Sequence, residues 1–289
     1  MQALGSYDLL DRIGAGGMGE VWRARHRGHG GLVAVKLVRA EADPAQAAEL
    51  AARFSREARL TASLRSPHAV RVLDVGQAPD GRLWQAMELL EGLDLQVLVE
   101  RFGPVPPARA VALVRQAAEA LAEAHTQGLV HRDVKPSNLF LVRGGPVGDF
   151  VKVLDFGLAR PADASADTLL TRTGVIPGSP AYLAPEVLRG ETSTDKADVY
   201  ALGCVVWWLV AGRLVFDAKG PLDLVIAHLE RRPRPLDEAV PLAPAGLVAL
   251  VAACLEKDPA ARPAIGEVGA RLAACAAATP WRSEERRVG

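Results

Sequence analysis

The stretch Val130–Leu141, VHRDVKPSNLFL, sets one carboxylate, Asp133, among His131, Arg132 and Lys135, with Asn138 five residues beyond it. Such a carboxylate can take a proton while its cationic neighbours offset negative charge on a reacting group. Taken alone, the same residues suit a polar turn between two apolar runs. A second stretch, IGAGGMGEV, carries G-x-G-x-x-G at Gly14, Gly16 and Gly19. A dinucleotide-binding turn would open into a helix after the last glycine. Here Val21, Arg23 and Arg25 alternate with Glu20, Trp22 and Ala24, which describes a strand. A glycine loop between two antiparallel strands can lay bare backbone over phosphate oxygens, and Val21 then offers an apolar contact for a base. In VAVK, Lys36 sits inside an apolar strand and wants a counter-charge. Glu57, in RFSREA, is the candidate to supply it across a strand–helix gap.

The elements that must hold these groups fall into two textures. Up to about residue 90, short β-type runs are separated by glycine-rich turns, which predicts an antiparallel meander. One helix interrupts it over Ala45–Leu64, rich in helix formers and free of internal Gly or Pro. After Gly92, helical spacing dominates. Val111, Val114, Ala118, Leu121 and His125 repeat every three or four residues, with Pro106 and Pro107 at the start and Gly128 at the end. Further helices are predicted over Asp195–Ala211, near Ala245–Glu256 and over Ala264–Ala277. Pro161–Pro177 has no clear period and reads as a long surface loop. The result is an α+β, bilobal chain: a small antiparallel β-rich lobe with one main helix, then a larger, mostly helical lobe.

Composition narrows the partners. The 289 residues are 49% hydrophobic, with 34 basic and 34 acidic side chains. That balance gives no reason to expect nucleic acid or an anionic membrane, though it leaves room for a local basic pocket. Three scattered cysteines, Cys204, Cys254 and Cys275, form no CxxC pair and read as small buried hydrophobes in a reducing cytoplasm. The N-terminus has no basic start followed by an apolar run and is not read as a signal peptide. Val199–Gly212 is too short for a membrane span and reads as a core helix. The tail from residue 278 to residue 289 is charged and aperiodic, and reads as a disordered or non-native end.

In this order the chain carries the glycine loop, the strand lysine, the helix glutamate, HRDVKPSN, DFG, APE and a late arginine in DPAARP. Together they make it resemble the eukaryotic-type protein kinases, in particular bacterial Ser/Thr kinases. The resemblance runs from about Tyr7 to about Ala277, with the lobes at about 7–90 and 91–277. It implies a protein kinase fold that transfers the γ-phosphoryl group of ATP to Ser or Thr hydroxyls of protein substrates. ATP contacts are implied for Ile13, Gly14, Ala15, Gly16, Gly17, Met18, Gly19, Glu20, Val21, Ala34 and Lys36. The rest of the adenine pocket would be Met87 as gatekeeper, Glu88 through Leu90 as hinge and Phe140 as floor, where the family usually has Leu or Met. Asn138 and Asp155 are the implied ligands of Mg²⁺, or Mn²⁺ in its place. Asp133 would accept or orient the substrate proton, and Lys135 would steady the γ-phosphate.

The resemblance also implies supporting roles. Arg132 would pair with a phosphate on Thr171 or Thr173, with Thr168 a weaker candidate, and Ser179 would contact the catalytic Asp and Lys. Glu186 and Arg262 would form a buried ion pair, and Asp198 would bond to the backbone near His131 and Arg132. Related bacterial kinases often continue into a membrane span and a sensor domain, so a soluble kinase and a piece of a receptor both stay open. Self-association through the small lobe is implied by resemblance alone. Two rivals keep the fold: a pseudokinase, which normally lacks one of Lys36, Asp133 and Asp155, and a small-molecule kinase.

Overall fold

The computed structural model describes residues 3–16, 19–38, 44–145, 148–156 and 180–278. The chain forms two compact units. One comprises Met1–Arg65 and Ala69–Glu91, the other Ser66–His68 and Gly92–Gly289.

The N-terminal unit is a six-stranded antiparallel sheet in the order β1-β2-β3-β4-β6-β5. The strands are β1 (Ala3–Leu4), β2 (Tyr7–Gly16), β3 (Gly19–His26), β4 (Leu32–Val38), β5 (Val72–Gln77) and β6 (Leu83–Glu88). Helix α1 (Pro44–Ser63) lies between β4 and β5 in sequence. The expected meander is therefore corrected at one point. The chain leaves β4 through α1, re-enters at the edge strand β5 and returns as β6 beside β4. The excursion through the helix separates β4 from β5, and the β5–β6 hairpin fills the gap.

Cross-strand pairs share a face of a sheet, so the register sorts the residues. Gly14 pairs with Val21, Val21 with Lys36, Lys36 with Gln85, and Ala34 with Met87. These share one face. The opposite face carries a core built on Leu9, Ala24, Val35, Leu37, Trp84 and Ala86. Alternation thus gives Lys36 and Leu37 opposite surroundings from adjacent positions.

In the C-terminal unit, β7 (Gly92–Asp94), β8 (Leu139–Val142) and β9 (Phe150–Val153) form a three-stranded antiparallel sheet. Helix α2 (Leu95–Phe102) is capped by Asp94, whose side chain accepts the Val97 N–H at 2.8 Å. Helix α3 (Pro107–Thr126) starts on a proline and buries Val114, Ala117 and Leu121. Then come α4 (Pro185–Leu188), α5 (Asp195–Ala211), α6 (Pro221–Glu230), α7 (Leu236–Ala239), α8 (Ala245–Cys254) and α9 (Ile265–Ala278). Helix α5 is buried on nearly all sides, as a core helix with no polar stripe should be. Thr194 caps its start, and Gly212, at φ 66°, ends it in the left-handed region. Helices α2 and α6 were not anticipated, because each is short and its apolar residues mimic loop or strand runs. Cys204, Cys254 and Cys275 are free and buried. The loop expected over Pro161–Pro177 and the tail from residue 279 onward lie outside the described residues.

Candidate active site

In the N-terminal unit the glycine motif is the β2–β3 hairpin, with Gly16 paired to Gly19. Gly19 has φ 146°, and a Cβ there would lie 2.0 Å from the Leu37 carbonyl oxygen, so the fold itself demands glycine. The other two glycines differ. An added Cβ at Gly14 would meet Val21 at an ordinary 3.7 Å, and at Gly16 no described atom lies within 4 Å. The fold does not need their missing side chains. A polyphosphate resting on the hairpin backbone would, so the hairpin fits ATP. Ile13 sits at a β-bulge and is 50% exposed, and bulges commonly re-aim side chains beside sites.

Lys36 and Glu57 are both buried, at 5% and 6% exposure. Lys36 lies on the central strand β4 beside Ala34, and Met87 on β6 is likewise buried. Glu88 continues the strand, and its carboxylate accepts the Arg71 N–H at 2.7 Å. Leu90 is half-buried. Glu20 points its carboxylate to Arg12 at 2.9 Å and to the Trp22 indole at 3.1 Å, on the face opposite Val21 and Lys36. These bonds hold the Glu20 carboxyl below its usual range. Its side chain is occupied there, and only its backbone remains for a nucleotide. Ala15 pairs with Glu20 in the hairpin. Gly17 and Met18 lie outside the described residues.

In the C-terminal unit the stretch after α3 is held from three sides. Asp198, on the first turn of α5, accepts the Arg132 N–H through Oδ1 and the His131 N–H through Oδ2, each at 2.8 Å. His125, on the last turn of α3, donates from Nε2 to Oδ2 at 2.8 Å. Six residues on, His131 Nε2 meets the Leu154 carbonyl at 2.7 Å, while its Nδ1 faces the Asp133 N–H at 3.3 Å. That pair of partners assigns the proton to Nε2. Its ring also lies 4.9 Å from that of Phe156.

This scaffold presents Asp133. Lys135 Nζ lies 2.6 Å from Asp133 Oδ2, and Asn138 Nδ2 donates to the same oxygen at 3.1 Å and to the Asp133 carbonyl at 2.8 Å. The Asn138 amide nitrogen is thus spent on Asp133, which turns its oxygen the other way. The Leu154 N–H bonds to the Asn138 carbonyl at 2.9 Å, which brings Asp155 into the neighbourhood of Asn138. Two hard oxygen donors, one amide and one carboxylate, suit magnesium, which commonly takes one or two protein ligands plus phosphate oxygens. Phe140, on β8, is half-buried.

Arg132 and Asp155 are the two non-glycine residues with positive φ among those described, at 65° and 57°. Such positions cost roughly 1–3 kcal/mol each and gather at functional sites. Glu186 and Arg262 meet in a bidentate pair at 2.6 and 2.7 Å, both 2% exposed. Arg262 also donates to the carbonyls of Glu256, Lys196 and Lys257 at 2.7, 2.9 and 3.2 Å. Thr168, Thr171, Thr173 and Ser179 lie outside the described residues. Sequence reasoning passed over the roles of His125 and His131. A histidine on an apolar helix face carries no local sign of a distant carboxylate partner.

A protein-family model described as the protein kinase domain matches residues 7–272. The chain is 39% identical over 265 residues to the serine/threonine-protein kinase pkn3 of Myxococcus xanthus, covering 90% of this chain and 48% of that protein. It is 38% identical over 261 residues to pkn2 of the same organism, covering 90% of this chain and 31% of that protein. With PknH of Mycobacterium tuberculosis the figures are 40% over 258 residues, 88% and 39%. The chain therefore spans about half or less of the length of these relatives. Matched across this length, and carrying the loop geometry described above, the chain belongs to the protein kinase domain family.

Proposed function

We propose that this kinase domain transfers the γ-phosphoryl group of ATP to serine or threonine hydroxyls of protein substrates. The observation that carries the reading is the Asp133 carboxylate, held by Lys135 and Asn138 on a loop tied to Asp198. The acceptor oxygen attacks the γ-phosphorus, the bond to the β-phosphate oxygen breaks and ADP leaves. Asp133 orients the acceptor hydroxyl and takes its proton. Lys135, 2.6 Å from that carboxylate, reaches the same region and balances charge on the transferred group.

Lys36 binds the α- and β-phosphates and Glu57 holds it in place, while the Gly14–Gly19 hairpin covers the phosphates with backbone. Ile13, Val21, Ala34, Met87, Leu90 and Phe140 contact the adenine. Asn138 and Asp155 hold magnesium, which when bound neutralises charge on the phosphates. Arg132 receives a phosphate placed on Thr171 or Thr173 by autophosphorylation. The family resemblance also assigns Ser179 a role beside Asp133 and Lys135. The reading extends to action in the cytoplasm, which three buried free thiols favour. It also extends to self-association through the N-terminal unit, on family resemblance alone.

Incubation with ATP, magnesium and a generic basic protein tests it. The expected product is phosphoserine and phosphothreonine without phosphotyrosine. Mass spectrometry of active protein is expected to find phosphate on Thr171 or Thr173. Full activity with both unmodified would remove the regulatory part and leave the transfer reaction standing.

A further inference from the structure

The sequence balances its charges overall, yet four arginines gather at one concavity of the C-terminal unit. Between α5 and α6, and just after α6, a cavity of about 160 Å³ is lined by Arg213, Arg231, Arg232 and Arg234, with Trp207 and Asp217. Local chemistry explains the convergence. Arg213 follows the left-handed Gly212 that ends α5. Arg232 and Arg234 each precede a proline, which keeps them extended, and residues two apart on an extended chain project to the same side.

The cluster is under-neutralised. Arg231 is held by the Asp223 carboxylate and reaches the Asp217 carbonyl at 3.4 Å. Arg213, Arg232 and Arg234 make no ion pair with an acidic side chain among the described residues. Trp207, 2% exposed, contributes a buried wall to the concavity. A concavity with three unspent guanidinium groups asks for a compact anion with several acceptor oxygens.

We propose that this recess binds the phosphate of a phosphorylated serine or threonine on a protein partner. A phosphate monoester offers nearly two negative charges and three acceptor oxygens, which several guanidinium forks can share. A concavity this small admits one such group and does not match the flat face of a membrane. A chain of zero net charge lacks the broad field that nucleic acid selects. None of these residues belongs to the candidate active site, so the inference stands or falls apart from the kinase reading.

Fluorescence polarisation on the chain Met1–Gly289, without ATP, tests it. The probe is a labelled peptide with one phosphothreonine flanked by alanine and glycine, beside the same peptide with Thr or Glu at that position. The expected result is selective binding of the phosphopeptide. In Arg232→Ala/Arg234→Ala and in Arg213→Ala, binding weakens at least about tenfold, while the thermal midpoint and phosphoryl transfer to a generic acceptor stay at wild-type level. Equal phosphopeptide affinity in wild type and variants would overturn the proposal. So would equal binding of the Glu and phosphothreonine peptides, or capture by phosphatidylserine vesicles alone that the same substitutions abolish.

Discussion

Asp198 accepts the backbone N–H of His131 at 2.8 Å across 67 residues of chain. The same carboxylate takes the Arg132 N–H and the His125 ring, so one buried acid satisfies three donors around the turn that carries Asp133. Asn at this position keeps one acceptor oxygen and turns an NH₂ group toward a donor. Asp198→Asn is expected to lower kcat at least about tenfold and to cost about 1–3 kcal/mol of stability. ATP affinity should change little. Kinetics beside a denaturant titration check this, and unchanged kcat would mean the turn is held by other contacts.

The Glu186–Arg262 pair is nearly dry, and Arg262 spends all five N–H donors on it and on three carbonyls. Removing either partner leaves a buried charge unmatched, at a cost of about 3–5 kcal/mol. Glu186→Ala and Arg262→Ala are each expected to lose that much in urea unfolding. A double variant should lose less than the sum. Additive losses would show that the two side chains act independently.

The glycines of the hairpin separate structure from ligand. Gly19→Ala is expected to destabilise the protein by more than about 1 kcal/mol, because its Cβ would strike the Leu37 carbonyl at a backbone angle L-residues avoid. Gly16→Ala meets no described atom and should leave the thermal midpoint in place while raising the KM for ATP. The reverse pattern, a lowered midpoint with unchanged KM, would remove Gly16 from the nucleotide contacts.

His228 gives the fold an acid limb. Burial pushes its pKa down to about 3, and its Nδ1 faces the Tyr200 hydroxyl at 2.9 Å. Between about pH 3 and pH 6.5 the unfolded chain binds a proton that the folded chain refuses. Stability from this group is therefore complete above about pH 6.5 and falls as pH drops, by up to about 1.4 kcal/mol per pH unit. Equilibrium unfolding across pH 4–7 is expected to show a shallower slope in His228→Gln. Parallel curves would assign the acid limb to other groups.

Much of this was legible before any coordinates. Helical period and end signals gave α3 almost to the residue and the apolar run gave α5, but only the strand register puts Val21 and Lys36 on one face. The order of β5 and β6 was not legible, since no local pattern says where a chain returns after a helix. Glu20 looked like a nucleotide contact from the motif, yet register turns its side chain to Arg12. The positive φ of Arg132 and Asp155 left no mark either, because both are ordinary residue types held there by the tertiary bonds around them. His125 and His131 show the same limit: their partners, Asp198 and Leu154, lie far along the chain.

The role of Asp133 is tested most directly by comparing wild type with Asp133→Asn in single-turnover phosphoryl transfer, with ATP binding measured on the same samples. Asn keeps the shape and an acceptor for Lys135 but cannot take the substrate proton. The expected result is wild-type ATP affinity with a transfer rate lowered by about 10²-fold or more. Transfer at the wild-type rate by Asp133→Asn would contradict the assignment of Asp133 as the catalytic base.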